Sequence, residues 1–283
     1  MRRFAKRIFR FILACVLTAI ILHFLKQNPE IINKSETVET QEDTLKYQNQ
    51  ANELDKIEKS KVEKIKSDTK YPVFVGSKLG NYEPTNTERR QGPGEYGQPV
   101  VLDKSLDGAV QSSIAEFGFN IVASDKVSLD RQPDDLRKQE CKHWDYPTEN
   151  MPSVAVILVF HNEAWSTLMR TVHSVYNQSP AHLLKEIVMI NDASTKTHLT
   201  EDLPKYIQGR FGNKVVLHVN DKREGLIRAR SIGARVATAD ILVYLDAHCE
   251  AEPNWLLPLI TPIINDPKTC TCPLVDVIDG NKY

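Results

Sequence analysis

The stretch VAVILVFHNEAWSTLMRTVHSVYNQ, residues 154–178, changes its period in the middle. Val154–Phe160 is an unbroken apolar run rich in β-branched residues. Such a run reads as a strand covered on both faces, because a half-exposed strand would alternate. Beyond it, Trp165, Leu168, Met169, Val172, Val175 and Tyr176 fall on one face of a helix, with Asn162 placed to act as its N-cap. A buried strand followed at once by an amphipathic helix is half of a βαβ unit.

The same alternation continues along the chain. Ile187–Ile190 reads as a second strand, followed by a helix containing Leu203 and Ile207 whose start is blurred by Pro204. Val215–Val219 is a third strand. Leu226, Ala229, Gly233, Val236 and Ala237 then share a helical face, and Ile241–Leu245 is a fourth strand. This order implies an α/β fold with a doubly wound parallel sheet, a Rossmann-like nucleotide-binding half.

In such sheets ligands bind beyond the carboxyl ends of the strands. Polar residues gather there after every strand: His161, Asn162 and Glu163; Asn191 and Asp192; Asp221, Arg223 and Gly225; Asp246, His248 and Glu250. In Asp246-Ala247-His248 the acid and the imidazole stand two residues apart, so in extended chain they point the same way. Together they could hold Mn²⁺ or Mg²⁺ on a diphosphate, while the small Ala247 would let a ligand approach the backbone. The same residues fit a plainer role, with Asp246 capping a turn and His248 satisfied at the surface. Arg223-Glu224-Gly225 leads into a helix, where free N–H groups and the guanidinium would attract phosphate. A solvated charge run reads equally well. Asp192 could accept from a ribose hydroxyl or a base N–H, or cap a turn. No G-x-G-x-x-G follows the first strand and no Walker motif occurs, which argues against nicotinamide-dehydrogenase and P-loop readings.

The N-terminal quarter has a different composition. Phe11–Leu25 is apolar, flanked by Arg10 and Lys26, and no small-residue cleavage site follows it. The expectation is an uncleaved signal anchor at 11–25 with residues 1–10 cytosolic, giving a single-pass type II topology. Residues 26–75 would be a lumenal stem, solvated and partly helical, carrying a glycosylation sequon at Asn33. A second sequon at Asn177 is discounted, because it lies on a predicted helix and precedes Pro180. Glycine and proline punctuate the start of residues 76–150, expected to be an irregular segment packing on the α/β domain.

The formal net charge of −1 conceals +6 in residues 1–26 and −2 in residues 27–70, leaving −5 for the remainder. Positive charge confined to one end does not indicate nucleic-acid binding. Five cysteines exclude a disulfide-dense miniature scaffold. Cys270-Thr271-Cys272 falls in a strand-like segment without a second pair for zinc, and Cys141 and Cys249 could be bridged or buried thiols.

Four segments in order carry a family resemblance: Phe119-Asn120 with Ala123–Leu129, Phe160–Leu168, Arg223–Arg230 and Leu245–Glu250. They resemble the polypeptide N-acetylgalactosaminyltransferases, Golgi enzymes that begin mucin-type O-glycosylation. The segments 76–84 and 275–281 are most similar to the type 7 branch, which prefers peptides already bearing a sugar. The resemblance implies a GT-A fold, with residues 151–283 as its N-terminal part. It implies a UDP-GalNAc donor, a Ser/Thr peptide or glycopeptide acceptor, Mn²⁺ as cofactor, retention of anomeric configuration and a Golgi membrane location. Asp246 and His248 would be metal ligands. Val159, Asp192, Arg223, Leu226 and Ala247 would bind the nucleotide sugar. His161 and Glu163 would shape the site floor, and no residue is an evident covalent nucleophile. Asn191 stands where the family usually has an acid, and Val159 where many members have Thr. The family continues past Tyr283 with a third metal ligand, an acceptor region, a lid and a lectin domain, and it bonds the cysteine matching Cys141 to a downstream partner. The chain is therefore expected to be a fragment, with negligible transfer alone. The alternative is a non-catalytic Golgi-anchored nucleotide-binding or interaction protein.

Overall fold

The computed structural model describes residues 72–76, 78–81 and 90–283. The expected anchor at 11–25, most of the stem, the Asn33 sequon and Cys15 lie outside these residues. Among the described residues no helix is long and apolar enough to cross a membrane.

A short antiparallel ladder joins β1 (Val73–Phe74) to β2 (Trp144–Asp145). The main sheet holds β3 (Val154–Phe160), β4 (Leu184–Asn191), β5 (Val215–Val219) and β6 (Ile241–Asp246). Its order is β5-β4-β3-β6, all parallel. The chain steps outward from β3 to β5 and then returns to the far side of β3. The strand order thus reverses between β3 and β6, which makes the crevice at their carboxyl ends the place where such sheets bind ligands.

The helices are α1 (Asp107–Phe117), α2 (Ile121–Ser124), α3 (Trp165–Gln178), α4 (Leu203–Phe211), α5 (Leu226–Val236) and α6 (Leu256–Asn265). Alternate residues of β3 serve the two faces of the sheet. Val156, Leu158 and Phe160 pack with Leu168, Met169 and Val172 of α3 and Leu203 and Ile207 of α4. Ile157 and Val159 pack with Ala229 and Ile232 of α5. Gly233 permits that second contact: a Cβ there would stand 2.5 Å from Ile157 Cγ2, so a larger residue would lift α5 off the sheet.

Several expectations change. Strand β4 begins at Leu184, earlier than the apolar core of the run suggests. A single π-helical turn, His198–Asp202, precedes α4, and Pro204 sits in the first turn of α4, where a missing N–H costs nothing. The helix α3 starts at Trp165 with Ala164 as its cap. Asn162 instead adopts φ 52° and binds across to the β4 loop, so it is no N-cap. The segment read as irregular contains the regular helix α1. Cys270 and Cys272 lie in exposed chain without strand pairing, because no neighbouring strand meets them among the described residues. Cys141, Cys249, Cys270 and Cys272 are all free thiols. Asn177 does lie on α3, as the discounting of its sequon assumed.

Candidate active site

Four strand ends meet at one rim of the sheet. Asp192, directly after β4, is 2% exposed. It holds the turn entering α5. Its Oδ1 accepts from Asn220 Nδ2 at 2.8 Å and from Glu224 N at 2.8 Å, and its Oδ2 accepts from Gly225 N at 2.9 Å. Arg223 Nε lies 3.3 Å from Oδ2. Burial alone would raise this carboxyl, but the donated N–H groups and the Arg223 charge outweigh it and hold it below its ordinary range. Gly225 enters α5 at φ 81°, ψ 164°, a conformation that only glycine adopts freely. Asp192 therefore fills the turn-holding role, while Arg223 keeps a half-exposed side chain beside the helix start.

Asn191, one residue earlier, points to the other face. Its Oδ1 accepts from Ser194 N at 2.8 Å and its Nδ2 donates to Leu199 O at 3.4 Å. Asn191 shapes the loop after β4 and takes no part in gripping the α5 turn.

His161 follows β3, and its Nδ1 lies 2.7 Å from the carbonyl of Asp192. A carbonyl can only accept, so Nδ1 carries the proton and Nε2 is left to accept from Asn162 Nδ2 at 3.3 Å. Asn162 is tied to the β4 loop in turn, accepting from Thr195 N at 2.8 Å. The floor between β3 and β4 is thereby fixed by hydrogen bonds on both sides.

Asp246 closes β6 and is the register partner of Val159 on β3. Its Oδ1 accepts from Arg230 Nη2 of α5 at 2.9 Å. His248 Nδ1 lies 3.2 Å from Glu163 Oε2, a pair that joins the ends of β6 and β3. That carboxylate raises the imidazole above its ordinary value, against the opposing effect of burial. Glu163 is itself anchored, because its Oε1 accepts from Ala164 N at 3.0 Å. With Nδ1 engaged, Nε2 is the ring nitrogen that His248 can present to a ligand. Asp246 and His248 are both exposed at the β6 end of the rim, but Ala247 and His248 lie in a turn beyond the strand rather than in extended chain, and among the described residues no set of three His, Cys, Asp or Glu side chains forms a cation site.

Of the remaining expected residues, Val159 is half-buried against α5 and Leu226 is exposed at the helix start. The methyl of Ala247 is buried in the core cluster on the α3 side.

Sequence reading missed a buried ionic knot behind the rim. Arg131 Nε and Nη2 donate to the two oxygens of Glu250 at 2.7 and 2.8 Å. Arg170, on the buried face of α3, donates to the carbonyls of Ser124 and Ser128 at 2.7 and 3.1 Å and lies 3.8 Å from Glu250. An arginine among the apolar positions of α3 was the one sequence signal for it. Asn220 and Arg230 were also missed, because each matters only through a partner distant in sequence.

The glycosyl transferase family 2 model matches residues 155–283. N-acetylgalactosaminyltransferase 7 of Homo sapiens is 52% identical over 216 residues, covering 75% of this chain and 33% of that protein. The probable N-acetylgalactosaminyltransferase 7 of Caenorhabditis elegans is 49% identical over 213 residues, covering 75% and 35%. A crystal structure of GalNAc-T7 with UDP, GalNAc and Mn²⁺ superposes with a TM-score of 0.74 at 51% identity, over 77% of this chain and 41% of that one. The chain spans about a third of the length of the curated relatives it matches. The ordered motifs, the parallel sheet with its reversal at β3 and β6, and half-identity over 216 residues make this chain similar to the matched third of these N-acetylgalactosaminyltransferases, with residues 155–283 matching the glycosyl transferase family 2 model.

Proposed function

We propose that the chain carries the nucleotide-sugar half of a polypeptide N-acetylgalactosaminyltransferase. The reaction is transfer of GalNAc from UDP-GalNAc to a Ser or Thr hydroxyl of a peptide or glycopeptide, with retention. One juxtaposition carries this reading: the Asp192-held turn into α5 and the open Asp246/His248 pair share the rim where the strand order reverses. The structurally similar GalNAc-T7 was solved with UDP, GalNAc and Mn²⁺.

The residues fit Mn²⁺. A carboxylate oxygen and an imidazole nitrogen form a mixed donor set, and two protein ligands leave positions for phosphate oxygens. Orientation of His248 by Glu163 is the arrangement that metal-binding imidazoles use. Bound Mn²⁺ would supply positive charge against the charge developing on the diphosphate leaving group. The chain's own residues do the rest. Arg223 adds a charge-assisted donor beside the first turn of α5, where the opening N–H groups have no intrahelical acceptor. Asp192 keeps that turn in place, and His161 and Glu163 fix the floor. Val159, Leu226 and the backbone of Ala247 line the donor's approach.

We further propose a Golgi membrane location in single-pass type II orientation, resting on the apolar run 11–25 and the basic residues ahead of it. The resemblance of segments 76–84 and 275–281 to the type 7 branch supports a glycopeptide acceptor.

Calorimetric titration of the chain with UDP tests the site. Binding is expected to require Mn²⁺ and to disappear in Asp246→Ala; binding that survives this substitution would remove the assignment. A second reading, nucleotide binding without transfer by these 283 residues, is favoured by the two-ligand metal site among the described residues. Measurable GalNAc transfer by the chain to a mucin glycopeptide would remove that reading.

A further inference from the structure

The two candidate metal ligands have opposite kinds of partner. His248 is met by a carboxylate, Glu163. Asp246 is met by a cation, Arg230, at 2.9 Å. The first partner orients a ligand and adds negative charge near the site. The second occupies one oxygen of a ligand and places a positive charge where a divalent cation would sit close by. Arg230 projects from the face of α5 next to the buried Ala229, on a helix held hard against the sheet by Gly233, so its backbone cannot drift away from β6. Its side chain is 40% exposed and that of Asp246 is 55% exposed. An ion pair so open to water is weak and readily exchanged.

We propose that Arg230 is the internal counter-ion of the cation-free site: it neutralises Asp246 until a divalent cation displaces it, and thereby sets how much cation is needed to load the site. This rests on the metal reading of Asp246 and His248 proposed above. An unneutralised Asp246 would leave negative charge exposed at the rim. With Arg230 present, cation binding becomes an exchange of one positive partner for another.

The test is a titration of the full chain with Mn²⁺ alone, followed by the spin-resonance signal of free Mn²⁺. Removing one positive charge a few ångströms from a divalent ion in a solvated setting is expected to tighten binding roughly three- to tenfold in Arg230→Gln. Arg230→Lys, which keeps the charge, should bind as the unmodified chain does. A merely structural role would weaken binding in Arg230→Gln, because a disturbed site binds less well. Asp246→Asn separates the two ideas. If it abolishes binding while Arg230→Gln binds equally or less tightly than the unmodified chain, the counter-ion role is overturned and the metal site stands. If Asp246→Asn leaves binding unchanged, or no form of the chain binds Mn²⁺, the metal reading fails and the counter-ion role fails with it.

Discussion

Asp192 accepts three hydrogen bonds from the segment leading into α5, although the nearest of those donors lies 28 residues further along the chain. Its truncation to Ala would leave the amides of Glu224 and Gly225 and the Asn220 side chain without this acceptor. Orphaned polar groups cost about 1–3 kcal/mol each when buried, so Asp192→Ala is expected to lose about 2–4 kcal/mol in urea unfolding. Because its folded pKa is depressed, this stability is present above the ordinary carboxylate value and lost as pH falls through the folded one. Glu252 behaves in the opposite way. Burial first, then the nearby charge of Asp135, pushes it up to about 7 from an ordinary 4.5, and one of its oxygens is buried with no hydrogen-bond partner. The native state holds this proton more tightly than the unfolded chain does. Stability from it is therefore complete below about 4.5 and lost as pH rises through about 7. Glu252→Gln should match the unmodified chain in urea midpoint near pH 4.5 and exceed it at pH 8, by at most about 3 kcal/mol. Equal midpoints at both pH values would contradict the assignment. The identity of the rim residues was legible in the sequence, since strand ends are where polar residues become informative. Their partners were not: nothing local to Asp246 announces Arg230, and nothing local to Asp192 announces Asn220.

At the scale of elements, the two faces of β3 are the organising fact. The strand was readable because Val154–Phe160 must be covered on both sides, and the helices because their apolar spacing changes to 3.6. Helix α6 was not readable, as Pro258 and Pro262 interrupt its apolar run. Pro258 falls in the first turn, where the missing N–H has no intrahelical partner to lose, and the tertiary packing of Leu256, Leu257, Ile260 and Ile264 overrides the second proline. Helix α5 depends on a single missing side chain. Gly233→Ala would place a methyl 2.5 Å from Ile157 Cγ2 and 3.3 Å from Ile190 Cγ1. Helix propensity favours Ala by about 1 kcal/mol, yet overpacking of this kind costs about 1–3 kcal/mol. A net loss in thermal midpoint is expected. UDP affinity should weaken as well, because the start of α5 moves with the helix.

Across the whole molecule, the segment at 120–131 and the rim of the sheet are joined by one carboxylate. Glu250 faces both Arg131 and Arg170, and the three side chains are almost wholly buried. Breaking a buried pair by removing one partner typically costs about 3–5 kcal/mol, since the remaining charge is stranded. Glu250→Ala is therefore expected to lower stability by that order. Hydrogen exchange should show the amides near Ala123 and Val127 losing protection along with those following Asp246. Retained protection at 120–131 would show that the knot is not what couples them.

The placement of β6 has a further consequence. It forms one border of the four-stranded sheet, with Tyr244 44% exposed, and among the described residues only β3 pairs with it. A border strand offers a ready row of donors and acceptors to any extended chain. Here the strand that offers it ends in Asp246. Any peptide segment that docks there as a fifth strand would bond to the same backbone that aims this carboxylate, so occupancy of the sheet's margin and the posture of the candidate metal ligand become one mechanical variable.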